Sequence, residues 1–150
     1  MVRSGIGLYG YGNDKNIDPE LRPISTLKTI ISQIRSLDKG DTVGYNRAFK
    51  VEKPTRIATL PLGHADGINR IYGKGKAGVF INGEYAPIAG NVCMDIIMVD
   101  VTNISCEEGD EVIVFGGPQH PVKFAEAGGT ISYELITGIQ RRVTRLVIPE

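Results

Sequence analysis

The chain has 150 residues, with 17 Lys+Arg against 17 Asp+Glu, 41% apolar residues and 23% charged ones. That length suits one domain able to bury roughly two thirds of its unfolded surface, and the composition excludes a disordered tail or a fibre. The two charge signs are interspersed, so no basic face is available for a nucleic-acid backbone. No apolar run approaches the roughly 20 residues of a membrane span, and the N-terminus lacks the charged-then-apolar pattern of a signal peptide. The expectation is a cytoplasmic protein without nucleic-acid or membrane partners.

Near the N-terminus, Gly5-Ile6-Gly7-Leu8-Tyr9-Gly10 matches the dinucleotide-binding pattern G-x-G-x-x-G. That pattern needs a strand before it and a helix after it, whereas only four residues precede Gly5 and Tyr11-Gly12-Asn13-Asp14 is turn-like. A Gly-rich turn, or a turn whose free amides cradle a phosphate without a dinucleotide, are the other readings. Residues 13–23 are polar and contain proline, as expected of a loop.

Beyond it, 19 glycines and eight prolines break the chain into short apolar runs, the pattern of many strands joined by tight turns. Strands are predicted over 24–36, 55–60, 76–81, 85–92, 96–101, 111–115 and 141–147, with a turn at 38–41. Asn82-Gly83 between apolar runs is a strong hairpin signal. Short helices are predicted over 123–127 and 132–139, the second opening on Ser132 as a cap. The class is mainly β, a small Greek-key-like barrel or sandwich with one or two short helices, because closing the sheet removes exposed edges. Cys93 and Cys106 form no CxxC or Cys/His cluster, so no metal site is predicted. Two reduced thiols are the expectation, with a disulfide left open.

Five stretches carry more than this. They are Val2-Arg3-Ser4-Gly5-Ile6-Gly7-Leu8-Tyr9-Gly10, Val43-Gly44-Tyr45-Asn46-Arg47, Leu62-Gly63-His64-Ala65-Asp66-Gly67, Val92-Cys93-Met94-Asp95, and Gly129-Thr130-Ile131-Ser132-Tyr133-Glu134 followed by Arg141-Arg142-Val143. In this order they resemble the C-terminal domain of pyridoxal-phosphate (PLP) alanine racemases. The resemblance implies that residues 1–12 are the tail end of a PLP-binding α/β barrel and residues 13–150 the β domain that follows it. No lysine here has the surroundings of the family's Schiff-base lysine, so the isolated chain is expected to lack racemase activity.

The resemblance also implies roles. Tyr45 matches one base of a two-base racemisation, opposite the lysine; a free tyrosine ionises near pH 10, so it needs help toward phenolate. Arg3 matches the arginine facing the pyridine nitrogen of PLP, where a permanently charged guanidinium discourages ring protonation. Gly5 and Ile6, through their amides, and Tyr133, through its hydroxyl, match holders of the PLP phosphate. Met94 and Asp95 match the pair lining the substrate pocket, with the Met94 N–H on the amino-acid carboxylate.

His64 replaces a tyrosine often found at the inner gate of the substrate channel, and either alters the gate through a smaller, titratable ring or is one of several accepted residues. Arg70 matches a channel arginine, and Asn91 stands where an arginine is common. The implied partners are alanine, the barrel of the same subunit and that of a second subunit in a homodimer, supplying D-alanine for peptidoglycan precursors. Two other readings stay open: a non-catalytic β module for assembly or partner binding, and the same domain of a serine or broad-specificity racemase.

Overall fold

The protein is described by a computed structural model covering residues 1, 3–12, 16 and 20–148, so part of the loop predicted over 13–23 lies outside the described residues. The strands are β1 (Leu27–Ile30), β2 (Gln33–Leu37), β3 (Thr42–Val43), β4 (Phe49–Lys50), β5 (Thr55–Leu60), β6 (Gly78–Ile81), β7 (Glu84–Pro87), β8 (Ile97–Asp100) and β9 (Glu111–Phe115). They form an antiparallel sheet in the order β1-β9-β6-β7, a second in the order β2-β5-β8, and the ribbon β3-β4.

The run predicted as one strand over 24–36 is two. At its corner the buried Ile31 donates its N–H to Asp110 O at 3.0 Å, and the next residue, Ser32, donates to Thr59 O at 2.9 Å. The chain thereby crosses from the first sheet to the second. On the far side a single bridge, Ile88 with Val99, links the end of β7 to β8. Two sheets joined at both edges enclose one apolar interior, so the mainly β expectation holds, with one bend and one bridge in place of continuous closing ladders.

The predicted hairpin is present. Ile81 pairs with Glu84, and Asn82 and Gly83 take φ of 50° and 84°, the left-handed pair that a two-residue turn between twisted strands requires. The main core holds Leu60, Val79, Ile81, Ile97, Val99, Val112 and Val114, contributed by both sheets.

Helix α1 (Pro121–Ala127) begins two residues before the predicted start because Pro121 fits the first helical turn, where its missing N–H costs nothing. In α2 (Ser132–Gly138) the cap residue is Ile131 and Ser132 lies inside the helix with its hydroxyl buried, a correction to the predicted Ser cap. Phe124 and Leu135 seat both helices on the core, with the Phe124 ring 4.6 Å from that of Tyr72.

Residues 141–147 are not a strand. The backbone there joins no ladder; Arg145 satisfies the carbonyls of Ile139, Gln140 and Val143 from its own side chain, and Leu146 and Val147 are exposed. Alternating apolar residues were insufficient because no sheet edge receives them. The Gly5–Tyr9 segment is a 3-10 turn that ends on Gly10 in the left-handed region, where the dinucleotide pattern would run on into an α-helix.

Candidate active-site groove

The β3-β4 ribbon pairs Val43 with Phe49 and must turn within the five residues between them. Gly44 takes φ 76°, and Asn46 and Arg47 take φ of 59° and 51°. Two successive non-glycine residues in this region each cost about 1–3 kcal/mol, so neighbouring structure has to hold the loop. Asn91, buried, does so by donating its Nδ2 to Tyr45 O at 3.0 Å. Met98 closes the other side, since a Cβ on Gly44 would sit 3.2 Å from its Cε.

The loop presents the Tyr45 ring, 59% exposed, at a groove of about 560 Å³ whose lining includes Cys93, Met94, Asp95 and Ile96. Tyr45 from one stretch and Met94 and Asp95 from another are therefore brought to one cavity. A second, smaller core of Val43, Val51, Ile57, Ala89, Cys93 and Met98 lies beneath it. Cys93 is a free, buried thiol in that floor, as expected of a packing residue, and Cys106 is free as well.

The 93–96 loop is held from behind by the Gly63–Gly67 turn. His64 N–H donates to Cys93 O at 2.9 Å and Ala65 N–H to Met94 O at 2.8 Å. The approach is so close that a Cβ on Gly63 would meet Met94 O at 2.6 Å. Within the turn the buried Asp66 accepts the Gly63 N–H on Oδ2 at 2.8 Å. Arg142 donates from Nε to Asp66 Oδ1 at 2.6 Å and from Nη2 to Asp95 Oδ1 at 2.8 Å. Burial pushes the Asp66 carboxyl up, but hydrogen bonds from Arg142 and Gly63 and the charge of Arg142 outweigh it and leave it below its usual range.

Other predicted residues lie elsewhere. His64 lines a separate cavity of about 230 Å³ with Tyr72, Thr130, Glu134 and Gln140 rather than the groove, whose loop it holds through its backbone N–H. Arg70 is exposed at the start of the Arg70–Tyr72 turn. Arg3, Gly5, Ile6 and Tyr133 do not line the groove.

Gly5 and Ile6 precede the first bond of their turn, Gly7 N–H to Ser4 O at 3.1 Å, and no atom lies within 4 Å of where a Gly5 Cβ would be. Amides so placed suit the close approach of an anionic group such as a phosphate. Asp66, Asn91 and Arg142 were not legible as supports of the site. Asp66 and Arg142 sit inside matched stretches, yet 76 positions separate them and nothing in sequence pairs them.

The family model of the alanine racemase C-terminal domain matches residues 24–147. This chain belongs to that family. It is 45% identical to an alanine racemase of Clostridium kluyveri over 99% of its own length and 40% of the relative's. Among solved structures, the alanine racemase of Streptomyces coelicolor superposes with a TM-score of 0.91 at 32% identity, over 99% of this chain and 41% of that one. The Bartonella henselae alanine racemase with covalently bound pyridoxal phosphate superposes at 0.88 with 33% identity, over 95% and 40%. The chain thus spans about 40% of the length of the family's racemases that it matches.

Proposed function

We propose that this chain is the C-terminal β domain of a PLP-dependent alanine racemase, supplying one of two bases and part of the substrate pocket. The observation that carries this reading is the convergence of Tyr45, Met94 and Asp95 on one groove in a chain of this family. Residues 1–12 form the end of the barrel and 13–150 the β domain.

PLP, when bound, supplies an electron sink for the carbanion left by loss of the substrate's α-proton. The Tyr45 phenol oxygen takes up that proton as phenolate, or returns it as phenol, on one face, and a base from outside this chain serves the other face. Met94 N–H receives the amino-acid carboxylate, and Asp95 forms the pocket wall beside it. Arg3 donates to the cofactor's ring nitrogen, while the Gly5 and Ile6 amides and the Tyr133 hydroxyl hold its phosphate. His64 and Arg70 border the channel by which a carboxylate substrate arrives.

The groove opens to solvent on this domain, so it is completed by a barrel. In a head-to-tail homodimer Tyr45, Met94 and Asp95 face the PLP of the second subunit, and Arg3, Gly5, Ile6 and Tyr133 that of their own. The product is D-alanine for peptidoglycan precursors, made in the cytoplasm. Among the described residues no helix is long and apolar enough to cross a membrane. The isolated chain is expected to racemise nothing; D-alanine formed from L-alanine and PLP by this chain alone would refute that.

The deciding test is Tyr45→Phe in the complete enzyme. Removing a positioned acid–base group costs about 10²–10⁴-fold, so racemisation should fall by that order in both directions. Rates near wild type both ways would remove Tyr45 as a base.

A further inference from the structure

We propose that Arg142 is a positioning residue that aims the Met94 backbone N–H at the substrate carboxylate by locking the 63–67 turn onto the 93–96 loop. The inference rests on the reading of Met94 given above and adds the device that makes its amide a fixed donor.

The peptide joining Cys93 to Met94 is planar and trans, so the Cys93 carbonyl and the Met94 N–H point in opposite directions from one rigid unit. Whatever fixes that carbonyl fixes the N–H. The carbonyl accepts from His64 N–H, and the next one, that of Met94, accepts from Ala65 N–H. Two consecutive amides of the turn therefore clamp two consecutive carbonyls of the loop. The Met94 N–H itself has no hydrogen-bond acceptor among the described residues, and its residue lines the groove. It is a donor held in direction and left free for a ligand.

The clamp is only as firm as the turn. Asp66 shapes the turn by accepting the Gly63 N–H, and a buried carboxylate needs a charged partner to stay ionised there. Arg142 is that partner through Nε and through Nη2, the latter 3.2 Å from Asp66 Oδ2. The same Nη2 reaches Asp95 Oδ1, on the residue after Met94. One planar guanidinium thus grips the turn on one side and the loop on the other. Lysine, a single point charge, cannot reproduce that fork. The segment bearing Arg142 is itself tied down by Gln140 N–H to Asp66 O at 3.1 Å.

The test uses Arg142→Ala and Arg142→Lys in the complete enzyme, with KM, kcat and amide hydrogen exchange as readouts. A misaimed carboxylate donor weakens binding of ground and transition states alike, so KM for alanine should rise roughly 10-fold in Arg142→Ala while kcat changes less. The His64 and Ala65 amides should exchange on the order of 10-fold faster, with Ile57 and Val99 protected as before. Added guanidinium ion should restore part of the KM in Arg142→Ala, and Arg142→Lys should fall between.

An unchanged KM in folded Arg142→Ala, or a raised KM with His64 and Ala65 exchanging as in wild type, would overturn the proposal. Should Arg142→Ala fail to fold, wild-type KM and exchange in Arg142→Lys would overturn it equally. Failure of the racemase reading shows separately, as an unaffected Tyr45→Phe enzyme, and leaves the exchange result to stand alone.

Discussion

Asp66 is under opposing pressures whose balance sets a measurable pH dependence. Its carboxyl is buried, which favours the neutral form, yet Arg142 and the Gly63 amide hold it below its ordinary value of 3.8. A carboxyl whose folded value is depressed stabilises the fold above its unfolded value and loses that contribution as pH falls through the folded one. Acid unfolding followed by circular dichroism should therefore show a stability loss beginning near pH 4. Asp66→Asn should blunt that loss and cost about 1.5–3 kcal/mol at neutral pH, the range for hydrogen bonds to a charged group. An unchanged acid profile in Asp66→Asn would show that another carboxyl governs it. Tyr72 sits at the opposite end of the scale: burial, with Glu134 adding to it, pushes its hydroxyl up to about 12. Its stabilising contribution is complete below pH 10 and declines as pH climbs toward 12.

At the scale of elements, the turn and the loop act as a pair. Gly63 has an extended backbone, φ −154°, that any residue adopts, so its glycine is required by proximity alone. Gly63→Ala would put a methyl within 2.6–2.7 Å of Met94 O, Cys93 O and Ile96 N, all backbone atoms that cannot shift singly. It should raise KM as Arg142→Ala does, and should lower stability by roughly 1–3 kcal/mol, the usual penalty of overpacking. Thermal melts and steady-state kinetics on the same preparation check both. The β3-β4 loop differs in kind: Asn46 and Arg47 are genuinely strained, and Asn91 rather than space holds them. Asparagine at position 91 thus serves the shape of the Tyr45 loop through its amide, a task its place in sequence did not announce.

Across the whole molecule, the two cores divide the labour. The larger one joins both sheets and the helices, and Leu60 lies fully buried in it. Leu60→Ala should cost about 2–5 kcal/mol, the range for cavities left by large aliphatic residues, and lower the melting temperature. The smaller one underlies the groove, and its Met98 touches the Gly44 position. Met98→Ala should alter kcat in the complete enzyme out of proportion to its effect on melting, whereas Leu60→Ala should leave kcat per folded molecule unchanged. Equal effects of the two on kcat would mean that the groove is not supported separately.

The sequence by itself determined whatever local chemistry dictates. Asn82-Gly83 makes its hairpin because those residues tolerate left-handed backbone, the short β-branched runs make strands, and ordered motifs identify the family. Tertiary structure alone decided what depends on a partner distant along the chain. It bent 24–36 into two strands because the adjacent amides of Ile31 and Ser32 find carbonyls in different sheets, those of Asp110 and Thr59, and it left 141–147 without a ladder, with Arg145 bonding the nearby carbonyls of Ile139, Gln140 and Val143 instead. It also joined Arg142 to Asp66 and Asp95, since a guanidinium's choice of carboxylates follows from the packing that brings them within hydrogen-bonding distance and leaves no trace in spacing.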